Sequence, residues 1–79
     1  MQKMGQLEEI GNSFKEVKDT YIMSAGREVR VLVDSKEVDD HKAITLSKEV
    51  AKMIEEKCNY PGLIKVTVVR RTQAIEMAK

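Results

Sequence analysis

Seventy-nine residues with a net charge of +1 make one small domain, and no overall field draws it to a polyanion or an anionic membrane. An apolar fraction of 42% beside 34% charged residues fits a folded globular chain rather than a disordered one. A chain of this size removes only about 60–65% of its unfolded surface from water. Stability on the order of 5 kcal/mol is expected, with little apolar surface left to line a deep pocket.

In chain order, Met4, Leu7, Ile10, Phe14 and Val17 recur at steps of three and four, which predicts a helix with one apolar face. Gly5 and Gly11 each cost about 1 kcal/mol relative to alanine in a helix, so this helix needs packing to persist. Nothing before Leu7 caps it, and residues 1–6 read as the end of a longer connecting helix within a single domain spanning 1–79.

Residues 20–25 alternate as a strand, with Tyr21 and Met23 on one face and Ile22 on the other. Ala25-Gly26-Arg27 supplies a turn in which Gly26 can take positive φ. Val29, Val31 and Val33 then share one face of a second strand, and a hairpin follows. A polar loop over 34–38 leads to Asp39 or Asp40, either of which suits a helix N-cap.

From there to Cys58 an apolar stripe of Ile44, Ser47, Val50, Ala51, Ile54 and Cys58, widened by Leu46 and Met53, predicts the second helix. Pro61 within Asn59-Tyr60-Pro61-Gly62 stops it. Residues 63–70 form the third strand, with Ile64, Val66 and Val68 toward the helices and Lys65, Thr67 and Val69 on the other side. The fold class is α+β in the order α-β-β-α-β: a small three-stranded mixed sheet with two helices on one face. The crossover through the second helix makes the second and third strands parallel.

No catalytic or metal-binding constellation emerges. His41 follows Asp39 and Asp40, but three consecutive side chains at a helix start fan around its axis, whereas a metal site needs three or four converging ligands. Cys58 falls on the apolar helix face, and as the one cysteine it forms no internal disulfide, which fits a reducing compartment. Ser13, Ser24, Ser35 and Ser47 sit in no nucleophile pattern, and the glycines are too scattered to cradle a phosphate. No apolar run approaches the ~18–20 residues a bilayer span needs, and no signal peptide is evident. A cytoplasmic location without membrane contact by this segment is expected.

Charge is uneven. Residues 63–79 carry Lys65, Arg70, Arg71 and Lys79 against Glu76, or 4 − 1 = +3, leaving −2 for the remainder. Arg30, Lys65 and Arg71 share the outward parity of the sheet, where basic side chains can meet phosphates or serve as a solvated strand edge. Single-strand readers usually add stacking aromatics, and here only Phe14, Tyr21 and Tyr60 are aromatic.

Leu7-Glu8-Glu9-Ile10-Gly11-Asn12-Ser13-Phe14, Tyr21, the block Ala25-Gly26-Arg27-Glu28-Val29-Arg30-Val31 and the block from Tyr60-Pro61-Gly62 to Val68 together resemble the C-terminal domain of the ribonuclease Y family. The likeness runs from about Leu7 to Lys79. It implies an accessory segment of a bacterial endoribonuclease that initiates mRNA decay. Such a parent carries a membrane anchor facing the cytoplasm, a coiled coil, an RNA-binding KH domain and an HD domain that binds divalent metal. No cofactor is implied for this segment, and its expected partners are the rest of the parent, a second copy, or RNA.

Arg27, Arg30, Lys65 and Arg70 are the candidate RNA contacts, and Leu7, Ile10 and Phe14 the candidate interaction face. Gly11 stands where alanine is more usual in the family, and Arg71 and Gln73 where an acidic and a basic residue are usual. The element order invites comparison with the second type of KH domain, but residues 34–42 contain none of the glycines that type's RNA-binding loop needs.

Overall fold

The computed structural model describes residues 3–58 and 62–78, apart from the side chains of Lys3 and Met4. Helix α1 (Lys3–Asn12) is followed by strands β1 (Val17–Met23) and β2 (Glu28–Asp34), helix α2 (Asp40–Lys57) and strand β3 (Lys65–Arg71). The order and α+β class are those the sequence predicts. The sheet runs β1-β2-β3, antiparallel between β1 and β2 and parallel between β2 and β3. The helix stop over 59–61 lies outside the described residues.

Strand β2 is central because one of its faces is wholly apolar. Val29, Val31 and Val33 are buried against Leu7 and Ile10 of α1 and Leu46, Val50 and Ile54 of α2. Phe14, Val17, Ile22, Val66 and Val68 pack around that centre.

The first helix is shorter than its apolar spacing predicts. It ends at Asn12, the backbone N–H and hydroxyl of Ser13 both donate to the Ile10 carbonyl (3.2 and 2.7 Å), and the chain turns. Asn12 and Ser13 are residues whose side chains compete with helical bonding. Asn12 instead accepts a 2.7 Å hydrogen bond from the Thr20 hydroxyl. Phe14 and Val17 reach the core from the turn and the start of β1, so periodicity identified their burial but not their conformation.

Strand β1 accordingly begins three residues earlier than expected and ends two earlier. A register shift between Val17 and Asp19 bulges Lys18 outward, which lets Val17 face Val33 and Thr20 face Val31 on the core side. Thr20 is thereby buried beneath α1, where Gly11 leaves room for it. The turn into β2 holds not only Gly26 but also Ser24 and Ala25 at positive φ (54° and 56°).

Helix α2 is capped by Asp39, whose carboxylate accepts from the Lys42 N–H at 2.8 Å. Its buried face is centred on Leu46, Val50 and Ile54, with Ala43, Met53 and Cys58 beside them. Ile44 is 56% exposed. The stripe is rotated toward the larger Leu46 and Met53 and away from Ser47, whose hydroxyl bonds back to the Ile44 carbonyl. Val38, expected in a polar loop, is fully buried. It stands just before the cap and Ala43 four positions after it, the arrangement of a hydrophobic staple.

Candidate interaction surface

The helices cover one face of the sheet and leave the other open. Register places Met23, Glu28 and Lys65 in one row across that open face, Tyr21, Arg30 and Thr67 in the next, and Asp19, Leu32 and Val69 in the third, with Asp34 beside Arg71 at the end. The outward parity expected for Arg30, Lys65 and Arg71 is what the sheet shows.

These charges balance one another. Asp19, Glu28 and Asp34 oppose Arg30, Lys65 and Arg71 in the strands, or 3 − 3 = 0. The Glu28 carboxylate accepts from Arg30 Nε at 2.9 Å and from the Thr67 hydroxyl at 3.1 Å. That bond from Arg30, with Thr67 and the nearby positive charges of Arg30 and Lys65, holds the Glu28 carboxyl below its ordinary range. A hydrogen bond and the negative charge of Asp19 push the Tyr21 phenol up. Tyr21, Met23 and Val69 are exposed between these charges.

The four candidate RNA contacts therefore do not converge. Arg30 is folded onto Glu28. Arg70 lies on the helix side of β3, ion-paired with Asp40 and donating to the Val38 carbonyl at 3.4 Å, so it clips the end of the sheet to the start of α2. Arg27 sits beyond the turn, and its carbonyl accepts from the Lys65 N–H at 2.8 Å, which brings that pair to one end of the sheet. The candidate interaction face is filled from within: Leu7 is 1% and Ile10 6% exposed in this chain alone, and Phe14 packs beside them. A partner could reach Leu7 and Ile10 only by displacing the helix from the sheet, whereas Phe14 is half-buried.

Asp39 caps, Asp40 pairs with Arg70, and His41 is exposed in the first turn of α2. Among the described residues no three His, Cys, Asp or Glu side chains are placed to hold a metal ion. No described helix is long and apolar enough to cross a membrane. The surface depressions are small. A cleft beside Lys18, Leu32, Asp34, Arg71 and Gln73 encloses about 140 Å³, against ~300–1,000 Å³ for a typical small-molecule site.

Sequence reasoning missed that Glu28 neutralises Arg30, although their i, i+2 spacing on one strand face was a usable signal. It also missed the Lys18 bulge, for which a single sequence offers no sign.

Fold and surface together define a small α+β domain with an apolar core and three ion pairs among its described residues, Lys18 with Glu37, Arg30 with Glu28 and Arg70 with Asp40. Comparison with known proteins gives that domain a family. The chain is 50% identical over 78 residues to ribonuclease Y 2 of Bdellovibrio bacteriovorus, covering 99% of this chain and 15% of that protein. It is 48% identical to ribonuclease Y of Syntrophotalea carbinolica over 79 residues, and 49% identical to that of Aquifex aeolicus, covering 100% of this chain and 15% and 14% of those proteins. The chain is a homologue of the C-terminal domain of ribonuclease Y and spans about 15% of the length of the relatives it matches. No family model matches it, and no solved structure does either.

Proposed function

We propose that this domain is a non-catalytic accessory and interaction module of an mRNA-degrading endoribonuclease of the ribonuclease Y type. The observation that carries the reading is the pairing of its ionisable groups: Arg30 with Glu28, Arg70 with Asp40 and Lys18 with Glu37. General acid–base, nucleophilic and metal-assisted chemistry each need such groups converging on one reacting centre. Here the three pairs act as structural ties at separate places on the surface. In the parent, metal-dependent hydrolysis belongs to the HD domain, RNA binding to the KH domain, and attachment at the cytoplasmic side of the membrane to an N-terminal anchor. This segment's partners are the rest of the parent, with a second copy as the other occupant of the same role.

Titrating the chain into the parent protein lacking it tests this reading. Association measured by calorimetry, with no RNA cleavage by the chain itself, is the expected result. RNA hydrolysis by the chain alone contradicts it.

An auxiliary RNA-contact surface is the second reading. It is favoured by Arg27, Lys65 and Arg71, which make no ion pair among the described residues. Contacts of this kind are independent of base sequence and weaken steeply with salt. A titration with single-stranded RNA at low salt that leaves the Arg27 and Lys65 resonances unmoved excludes it.

A further inference from the structure

The two edges of the sheet are built differently. The outer edge of β1 is interrupted by the Lys18 bulge, a common way of blocking strand pairing. Strand β3 runs seven residues in unbroken register with β2. Its centre, Val66-Thr67-Val68-Val69, is β-branched throughout and holds neither a charge nor a proline.

The ladder shows which backbone groups are free among the described residues. Lys65 donates its N–H to the Arg27 carbonyl, and Arg71 accepts from the Ser35 N–H. In a parallel pair a residue turns both its N–H and its C=O to the same neighbour, and parity alternates along the strand. Lys65, Thr67, Val69 and Arg71 therefore face β2, while Val66, Val68 and Arg70 present their backbone groups to the open edge. Val66 and Val68 are only half-buried beneath the helices, so the core is incomplete along this edge. On the opposite face Lys65 and Arg71 are exposed.

We infer that β3 is a docking edge for an extended peptide segment whose side chains alternate apolar and acidic. Such a segment adds a fourth strand. Its backbone satisfies Val66, Val68 and Arg70, its apolar side chains complete the layer begun by Val66 and Val68, and its carboxylates lie beside Lys65 and Arg71. Charge selects this occupant over a second copy. Symmetric antiparallel pairing of two β3 strands about Val68 sets Lys65 of one copy across from Arg71 of the other, and like charges directly opposite are destabilising. The inference rests on the interaction-module reading and names the surface and chemistry it uses.

The test is a titration of the 79-residue chain with a short synthetic peptide alternating valine and glutamate, and with a matched peptide carrying lysine for glutamate. Binding of the glutamate peptide on the order of tenfold tighter is expected, with amide exchange slowed at Val66, Val68 and Arg70. Val68→Pro removes one outward donor without touching the β2 ladder, and should abolish binding. Should that variant not fold, the exposed pair Lys65→Glu and Arg71→Glu should reverse the preference toward the lysine peptide.

Slowed exchange at none of the three edge positions, an unchanged preference after charge reversal, or shifts confined to Tyr21 and Leu32 on the open face would each overturn the proposal. So would a stable dimer of the chain alone with Val66 and Val68 protected. If the peptide misses this edge while the chain still associates with the rest of the parent, the edge falls and the module reading stands. If the peptide binds but the chain does not associate with the parent, the module reading loses that partner and the edge stands.

Discussion

Replacing Gly11 with alanine separates two opposing effects in the first helix. Intrinsic propensity favours alanine over glycine in a helix interior by about 1 kcal/mol. A Cβ at this position, however, would lie 2.5 Å from Thr20 Oγ1, 2.6 Å from its Cγ2 and 3.1 Å from its Cβ. Thr20 is buried, and its hydroxyl is held by Asn12 at 2.7 Å. It has a stiff, β-branched side chain. Overpacking of this kind costs about 1–3 kcal/mol, so Gly11→Ala should be destabilising by about 1 kcal/mol net. In a domain this small that lowers the thermal midpoint by about 4–8 °C. Thr20→Ala alone should also destabilise, because it removes a buried methyl and a hydrogen bond. In the double variant the Gly11→Ala methyl enters the space that Thr20 vacates, giving a favourable coupling of about 1 kcal/mol. Urea unfolding followed by circular dichroism across the four proteins measures the cycle. A Gly11→Ala variant more stable than the parent chain, or a strictly additive cycle, would refute the packing account.

Further outcomes follow from the same structure. Leu7→Ala should cost about 2–5 kcal/mol, most of the stability expected of the domain, because Leu7 is buried in the chain's own core rather than in a docking face; a thermal melt unchanged by the substitution contradicts this. Ala25→Gly should stabilise by about 1 kcal/mol by relieving a left-handed alanine, read from the urea midpoint. The Glu28 carboxyl should titrate below the ordinary glutamate range, and Arg30→Ala should move it back up, as followed by carboxyl-carbon NMR. Because the folded-state value is depressed, the stability Glu28 contributes is present above the unfolded glutamate value and is lost as pH falls through the folded one. Glu28→Gln should therefore flatten the acid limb of the stability profile.

Much of this architecture was legible in the residues because periodicity reports burial. Val29, Val31 and Val33 alternate and Val50 and Ile54 recur at helical spacing, and they occupy the core as predicted. What periodicity does not report is conformation: Phe14 and Val17 continue the helical spacing of Leu7 and Ile10 from a turn and a strand. Val38 was lost among polar neighbours because a lone staple residue has no period. The outward parity of Arg30, Lys65 and Arg71 followed from alternation, but whether those charges were free did not. Arg30 depends on Glu28 two residues away, and Arg70 on Asp40 across thirty residues of chain. The open edge of β3 required the strand order, which a short sequence with one crossover leaves undetermined.

We propose that this domain serves a ribonuclease without performing its chemistry. The most direct measurement compares RNA cleavage, in saturating divalent metal, by the full-length parent and by the parent ending just before this domain, with the 79-residue chain assayed alone. An inert chain, a truncated enzyme that still turns over RNA, and loss of complex formation on truncation are expected. Cleavage by the chain alone, or loss of turnover in a truncated enzyme whose remaining domains stay folded and metal-bound, would contradict it.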